Sequence, residues 1–384
     1  MCEEIESMFN NGTMELVPKP AGAKIIGSKW VFRIKEADNL DDPPRFKARL
    51  CVKGFSQREG IDYNEIFAPV VKYKILRLLL AMTTVYDWHL QQMDVKTAFL
   101  HNLNETIYMS QPIEFENSSK PNHVCLFKKS IYGLKQSPRQ WNIKFNECML
   151  SLGFTRSKYD TCLYLKRPKS GLILYLLMYV YDILIMSNSE LEITKIKKEL
   201  SSNFDMKDLG IAKKILGINI VRNKPNKMMF LSQSDYIDKV LKRFNMENSK
   251  SADIPLGGHL VLSKTDCPET EIDMKKMALI PYDVAVGSVM YCMLCTRPDL
   301  AFGISVLSSF MSNPGEIHWN AMQFLLKYLN STKNLGLVYA AHGNKNELFG
   351  YVDSDYASNM DNKKSTIGLF FTWFGNCISW KSQL

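Results

Sequence analysis

The run from Leu172 to Met186 constrains this chain more than any other stretch. Leu172-Ile173-Leu174-Tyr175-Leu176-Leu177-Met178-Tyr179-Val180-Tyr181-Asp182-Ile183-Leu184-Ile185-Met186 carries one charge, Asp182. It is too short to cross a bilayer. It reads as two buried β-strands joined by a tight turn, with Tyr181-Asp182 at the tip. An unpaired buried carboxylate costs several kcal/mol, so such an acid is expected to be paired, hydrogen-bonded or bound to a metal. The plainer alternative is a turn-tip aspartate that stays hydrated.

The chain has 384 residues, 46% of them hydrophobic, enough for two or three domains with substantial cores. Its formal net charge of +9 favours a polyanionic partner. The surplus gathers near the N-terminus, at Lys19, Lys24, Lys29, Arg33, Lys35, Arg45, Lys47, Arg49, Lys53 and Arg58. A solvated charged face would account for it equally well. Nine cysteines without a framework pattern suit a reducing, intracellular setting, cytoplasmic or nuclear. Cys292-x-x-Cys295 has no second pair at zinc-site spacing, so two buried thiols on a helix explain it better than a metal. No signal peptide and no membrane-spanning run is visible.

Periodicity sets out the organisation. Cys2 to Asn10 is helix-like and acidic. Residues 24–35 alternate apolar and basic, residues 38–44 form a polar turn, and residues 46–55 return, so a basic hairpin carries Lys47, Arg49 and Lys53. Ile75, Leu78, Leu79, Met82 and Val85 share a helix face within 74–86, and a strand follows from His89, ending at Asp94. Ser137-Pro138 reads as a helix start with Ser as N-cap, continued by Trp141, Phe145, Met149 and Leu152. Further helices are expected at 191–200, 234–244, 282–295, 298–312 and 316–331. Residues 267–277 read as a linker, and residues 348–380 revert to strand-like alternation. Helices mixed with non-alternating strands give an α+β class.

Several blocks share one resemblance. Lys47-Ala48-Arg49-Leu50-Cys51-Val52-Lys53-Gly54-Phe55 resembles the basic finger strand of Ty1/copia-type retrotransposon reverse transcriptases. Asp94-Val95-Lys96-Thr97-Ala98-Phe99-Leu100 resembles their first palm motif. Ile131-Tyr132-Gly133-Leu134-Lys135-Gln136-Ser137-Pro138-Arg139 is similar to the template-side motif that follows. Tyr179-Val180-Tyr181-Asp182 resembles the Tyr-x-Asp-Asp hairpin, with Tyr181 in place of its first aspartate. Gly287-Ser288-Val289-Met290-Tyr291 with Thr296-Arg297-Pro298-Asp299 is another block. Tyr351-Val352-Asp353-Ser354-Asp355-Tyr356-Ala357 resembles the opening of the family's ribonuclease H domain. The order and spacing of these blocks cover nearly the whole chain.

The resemblance implies a right-hand polymerase followed by a truncated ribonuclease H-like segment. Fingers and palm are expected at 1–255, thumb-like and connecting helices at 256–345, and the ribonuclease H-like start, with Asp353, at 346–384. It implies RNA-directed DNA polymerisation on an RNA or DNA template with a primer, using dNTPs, beside other segments of the Pol polyprotein and away from any membrane. Mg²⁺, or Mn²⁺ in its place, would be held by Asp94 and Asp182. Such catalysis uses two metals about 3.5–4 Å apart. Lys47, Arg49 and Lys53 would meet triphosphate or template phosphates, because those contacts need donors and positive charge. Phe99 would exclude a ribose 2′-hydroxyl, and Tyr132, Gly133 and Lys135 would line the nucleotide and template pocket.

Tyr181 stands where a principal metal ligand is expected, and a phenol is neutral at pH 7. Other departures from the family pattern are a run one residue short at His101–Glu105, Ile113-Glu114 after Pro112, and Met14 in place of Trp. Together they imply an inactive or severely impaired copy. The rival expectations are a nucleic-acid-binding remnant without catalysis and a degenerate open reading frame.

Overall fold

The computed structural model describes residues 1–35, 45–96, 103, 105–169, 171–258, 260–341 and 346–384. Its contacts divide the chain into two units. The first comprises Met1–Val71, Met93–Leu184 and Leu191–Asp208; the second comprises Lys72–Gln92, Ile185–Glu190 and Leu209–Leu384.

In the first unit a four-stranded sheet orders Met14–Pro18, His123–Phe127, Tyr108–Met109 and Ile25–Ile26. Its apolar face closes over a core of Ile5, Met8, Met14, Ile26, Leu50, Val52, Met109 and Phe127. The basic hairpin is present, with Ser28–Lys35 antiparallel to Arg45–Val52. It is shorter than its periodicity suggests, because Gly54–Ser56 turns into a 3-10 helix. A second sheet runs in the order Met206–Ile211, His89–Val95, Asp182–Ser187, Leu174–Tyr179, Leu163–Lys166 and Thr155–Arg156. Residues 206–208, 93–95 and 182–184 of its longer strands belong to the first unit. Helix Ser137–Ser151 places Trp141 and Phe145 in an aromatic cluster with Phe204, ring centres 5.2–5.9 Å apart. Its N-cap is Gln136, not Ser137, because the Ser137 hydroxyl donates instead to the Ile131 carbonyl at 2.7 Å.

In the second unit a four-stranded sheet orders Lys214–Ile215, Ile218–Asn223, Met228–Ser232 and Gly336–Ala340. Helices Tyr282–Cys295, Ala301–Ser308 and Glu316–Ser331 share a core with Ser234–Arg243. Val286, Val289, Cys292, Leu325 and Leu326 are fully buried in it. Cys292 and Cys295 are buried thiols on one helix, and all nine cysteines are free. Residues 267–277 are not simply a linker: the Thr270 side chain accepts from the Asp273 N–H and starts a helix, Glu271–Met277. The stretch from 298 opens as a 3-10 turn, Pro298–Leu300, before its helix, Ala301–Ser308. Three antiparallel strands, Leu348–Ser354, Ile367–Trp373 and Asn376–Gln383, close the chain. Among the described residues no single helix is long and apolar enough to cross a membrane.

Candidate functional site

The apolar run forms the expected hairpin, but its tip is displaced by one residue. Leu174–Tyr179 and Asp182–Ser187 are joined by Val180 and Tyr181. Asp182 opens the second strand because pairing with the neighbouring strand reaches this far: the Val95 N–H donates to the Tyr181 carbonyl at 3.0 Å. Asp182 is therefore half-buried within a sheet, not a fully buried acid at a turn tip. Tyr181 is 39% exposed. Val180 holds a φ of +55°, a left-handed conformation that is strained for a β-branched residue. The indole N–H of Trp141 donates to the Val180 carbonyl and fixes that turn from beneath. Helical spacing alone placed Trp141 in the sequence. A buried indole N–H needs an acceptor, and that was the available signal.

Asp94 lies one residue inward from Val95, as Asp182 lies one inward from Tyr181. The Val95–Tyr181 bond thus sets the two carboxylates at neighbouring positions on adjacent strands. Lys96, just beyond, forms an ion pair with Asp205 at 2.8 Å.

The third component comes from the basic hairpin. The Arg49 guanidinium lies 4.8 Å from the centre of the Tyr132 ring. Burial pushes the Tyr132 hydroxyl above its ordinary pKa; Arg49 opposes that rise, while Tyr181 and Asp94 add to it. Glu4 adds to the rise as well. Backbone packing makes the Arg49–Tyr132 contact possible. The Val52 N–H donates to the Tyr132 carbonyl at 2.9 Å. Gly133 has a φ of +97°, and a Cβ there would stand 2.2 Å from the Val52 oxygen. A Cβ on Gly54 would stand 2.0 Å from the Gly133 oxygen. Only two glycines let these backbones touch.

The remaining expected residues are placed as follows. Lys47 sits further along the hairpin, opposite Arg33. Lys53 lies past the strand end, its stem over Gly27. Lys135 turns to the Tyr63 hydroxyl at 3.2 Å and the Gln57 carbonyl at 3.4 Å. It contacts a buried polar link that sequence reading missed, in which Gln57 Nε2 donates to Gln136 Oε1 at 3.0 Å. Phe99 and Asn102 lie outside the described residues. Asp353 belongs to the second unit, on an exposed strand, with the Ser354 N–H donating to it at 2.9 Å.

The profile of the reverse transcriptase (RNA-dependent DNA polymerase) family matches residues 11–257. The chain belongs to that family, in its Ty1/copia retrotransposon branch. It is 48% identical over its whole length to the retrovirus-related Pol polyprotein from transposon TNT 1-94 of Nicotiana tabacum, covering 29% of that protein. It is 37% identical over its whole length to that from transposon RE1 of Arabidopsis thaliana, covering 25%. A transposon Ty5-1 protein of Saccharomyces cerevisiae is 33% identical over 76% of this chain and 92% of its own length. The chain thus spans under a third of the longer Pol polyproteins it matches.

The family implies a divalent metal, typically Mg²⁺. The donors here are two carboxylates, Asp94 and Asp182, and a phenol between them in the pattern. Among the described residues no group of three or more His, Cys, Asp or Glu could hold an ion. This donor set does not fit a pair of catalytic metals, which needs charged oxygen ligands on both ions.

Proposed function

We propose that this chain is a polymerase core, with fingers and palm in residues 1–255 and thumb-like helices after them, that binds primer–template and no longer extends it efficiently. Its inherited chemistry is RNA-directed DNA synthesis from dNTPs, within a Pol polyprotein whose other segments are its natural neighbours. Residues 346–384 are read as the start of a ribonuclease H-like segment carrying Asp353. An intracellular setting, cytoplasmic or nuclear, suits its nine free thiols.

One observation carries the reading: Asp94 and Asp182 sit at neighbouring positions on adjacent strands, the Arg49 guanidinium lies over the Tyr132 ring, and the turn residue before Asp182 is Tyr181. This arrangement supports reading Arg49 and Tyr132 as the cationic and aromatic parts of a nucleotide site in which Tyr181 replaces one ligand. A primer-extension assay with Mg²⁺ or Mn²⁺ tests this. The wild-type chain should extend poorly or not at all, and Tyr181→Asp should recover part of the activity. Each tenfold gain corresponds to about 1.4 kcal/mol of barrier. Robust extension by the unmodified chain would refute the impairment. A folded Tyr181→Asp chain without activity would move the defect to the shortened run after Asp94.

A further inference from the structure

We propose that Phe55 is a stacking platform for an unpaired base of a template strand, an inference that rests on the polymerase reading above. Phe55 is 80% exposed, yet the residues on either side of it are held in place. Gly54 is pressed against the Gly133 carbonyl, where no Cβ would fit. Gln57 is 4% exposed, and its amide oxygen accepts the Lys135 N–H at 2.8 Å. Ser56 is tied to Lys53 through both its N–H and its hydroxyl, at 3.0 and 2.8 Å. The Lys24 ammonium donates to the Ser56 carbonyl at 2.6 Å. A lone exposed phenyl is ordinary on a protein surface. A phenyl presented to solvent from an immobilised turn is preorganised to receive a flat partner.

Charge and position identify that partner. Lys53 and Arg58 flank Phe55 in the sequence, while Lys24 beside the turn is ion-paired with Asp62 at 2.5 Å, so the two flanking cations favour a polyanionic partner. The Gly54–Gly133 contact sets the turn next to Tyr132, whose ring lies under the Arg49 guanidinium. An aromatic face rimmed by cations binds single-stranded nucleic acid, because the bases stack while the cations follow the phosphates. A paired base has both faces covered within the duplex. Phe55 therefore serves the unpaired template ahead of the primer end.

The test is fluorescence anisotropy of primer–template with a single-stranded overhang against a blunt duplex of the same length. Wild-type protein should prefer the overhang. Phe55→Ala should weaken overhang binding about tenfold, the scale of one stacked base, and leave the blunt duplex unchanged. Phe55→Trp should retain the preference. 2-Aminopurine at the first unpaired template position should be quenched by the wild type and not by Phe55→Ala. The ring packs against little, so the melting temperature should not move. Equal overhang binding by Phe55→Ala, or an equal loss on both duplexes, would overturn the stacking role. Wild-type protein that binds neither duplex would overturn the polymerase reading and this inference with it.

Discussion

The proposed impairment turns on a single side chain, Tyr181. Tyr181 keeps the hairpin, because Trp141 holds the turn through the Val180 carbonyl and asks nothing of the neighbouring side chain. A change of ligand at this position can therefore leave the fold intact while removing an anionic oxygen from the cleft. His318 shows the converse, a residue whose chemistry serves stability. It is fully buried, stacked on Phe310 at 4.0 Å, and its Nδ1 accepts the Gly315 N–H at 2.8 Å. That bond caps helix Glu316–Ser331 and requires a neutral imidazole. Burial lowers the His318 pKa, against the pull of Asp266 and Asp361. The folded chain thus takes up this proton later than the unfolded chain does. Stability should be intact above the ordinary histidine pKa of about 6.5 and be lost progressively as pH falls below it. Urea unfolding at pH 7.5 and 5.5 checks the sign. The wild type should lose more stability than His318→Gln over that interval, and equal losses would show that His318 is not responsible.

At the scale of elements, the basic hairpin works because of its pleat. Directly opposed residues share a face, so Lys29, Arg33, Lys47 and Arg49 gather on one side without an acid among them. Arg33 opposite Lys47 is a like-charge pair, which costs stability in isolation and is relieved by a bound polyanion. The other face buries Leu50 and Val52 near the base and exposes Phe32, Ile34 and Phe46 further out. Replacing Lys47, Arg49 and Lys53 together with Ala should weaken primer–template binding and flatten its salt dependence, with the slope falling by roughly 0.9 for each phosphate that is no longer neutralised. Titration across salt concentrations measures this. An unchanged slope would mean that the three cations are only solvated charge.

At the scale of the whole molecule, neither unit is a continuous stretch of chain. The second joins residues 72–92 to everything after 208. Arg77 shows what this requires. It is 5% exposed, its ring partner is Trp380 at 3.8 Å, and it donates to the carbonyls of Ile378, Leu294 and Cys295 at 2.8, 2.5 and 3.2 Å. One guanidinium thus fastens helix Tyr73–Val85 to the end of helix Tyr282–Cys295 and to the last strand. Tyr339 and Asn376 reinforce the same strand, through the Cys377 and Ala340 carbonyls at 2.8 and 3.1 Å. Arg77→Met would leave those carbonyls without a donor and should cost about 1–3 kcal/mol for the group, read as a lower denaturation midpoint. Unchanged unfolding would show that the carbonyls find other donors.

The sequence by itself determined the α+β class, the acidic hairpin, the basic hairpin, most helices and the family. Each of these is written in local periodicity, in turn residues or in short motifs that a linear reading captures. The motifs that hold Asp94, Asp182, Arg49 and Tyr132 were legible for the same reason. What only tertiary structure decided are contacts between residues far apart in the chain. Tyr181 rather than Asp182 sits in the turn because the strand ending at Val95 pairs that far. Lys135 meets Tyr63 and the Gln57 carbonyl, 72 and 78 positions away, only through the fold. Gly54 and Gly133 must both be glycine because their backbones collide in space, not in sequence. Arg77 meets Ile378 across 301 positions, and no local pattern of charge or hydrophobicity encodes a bond of that span.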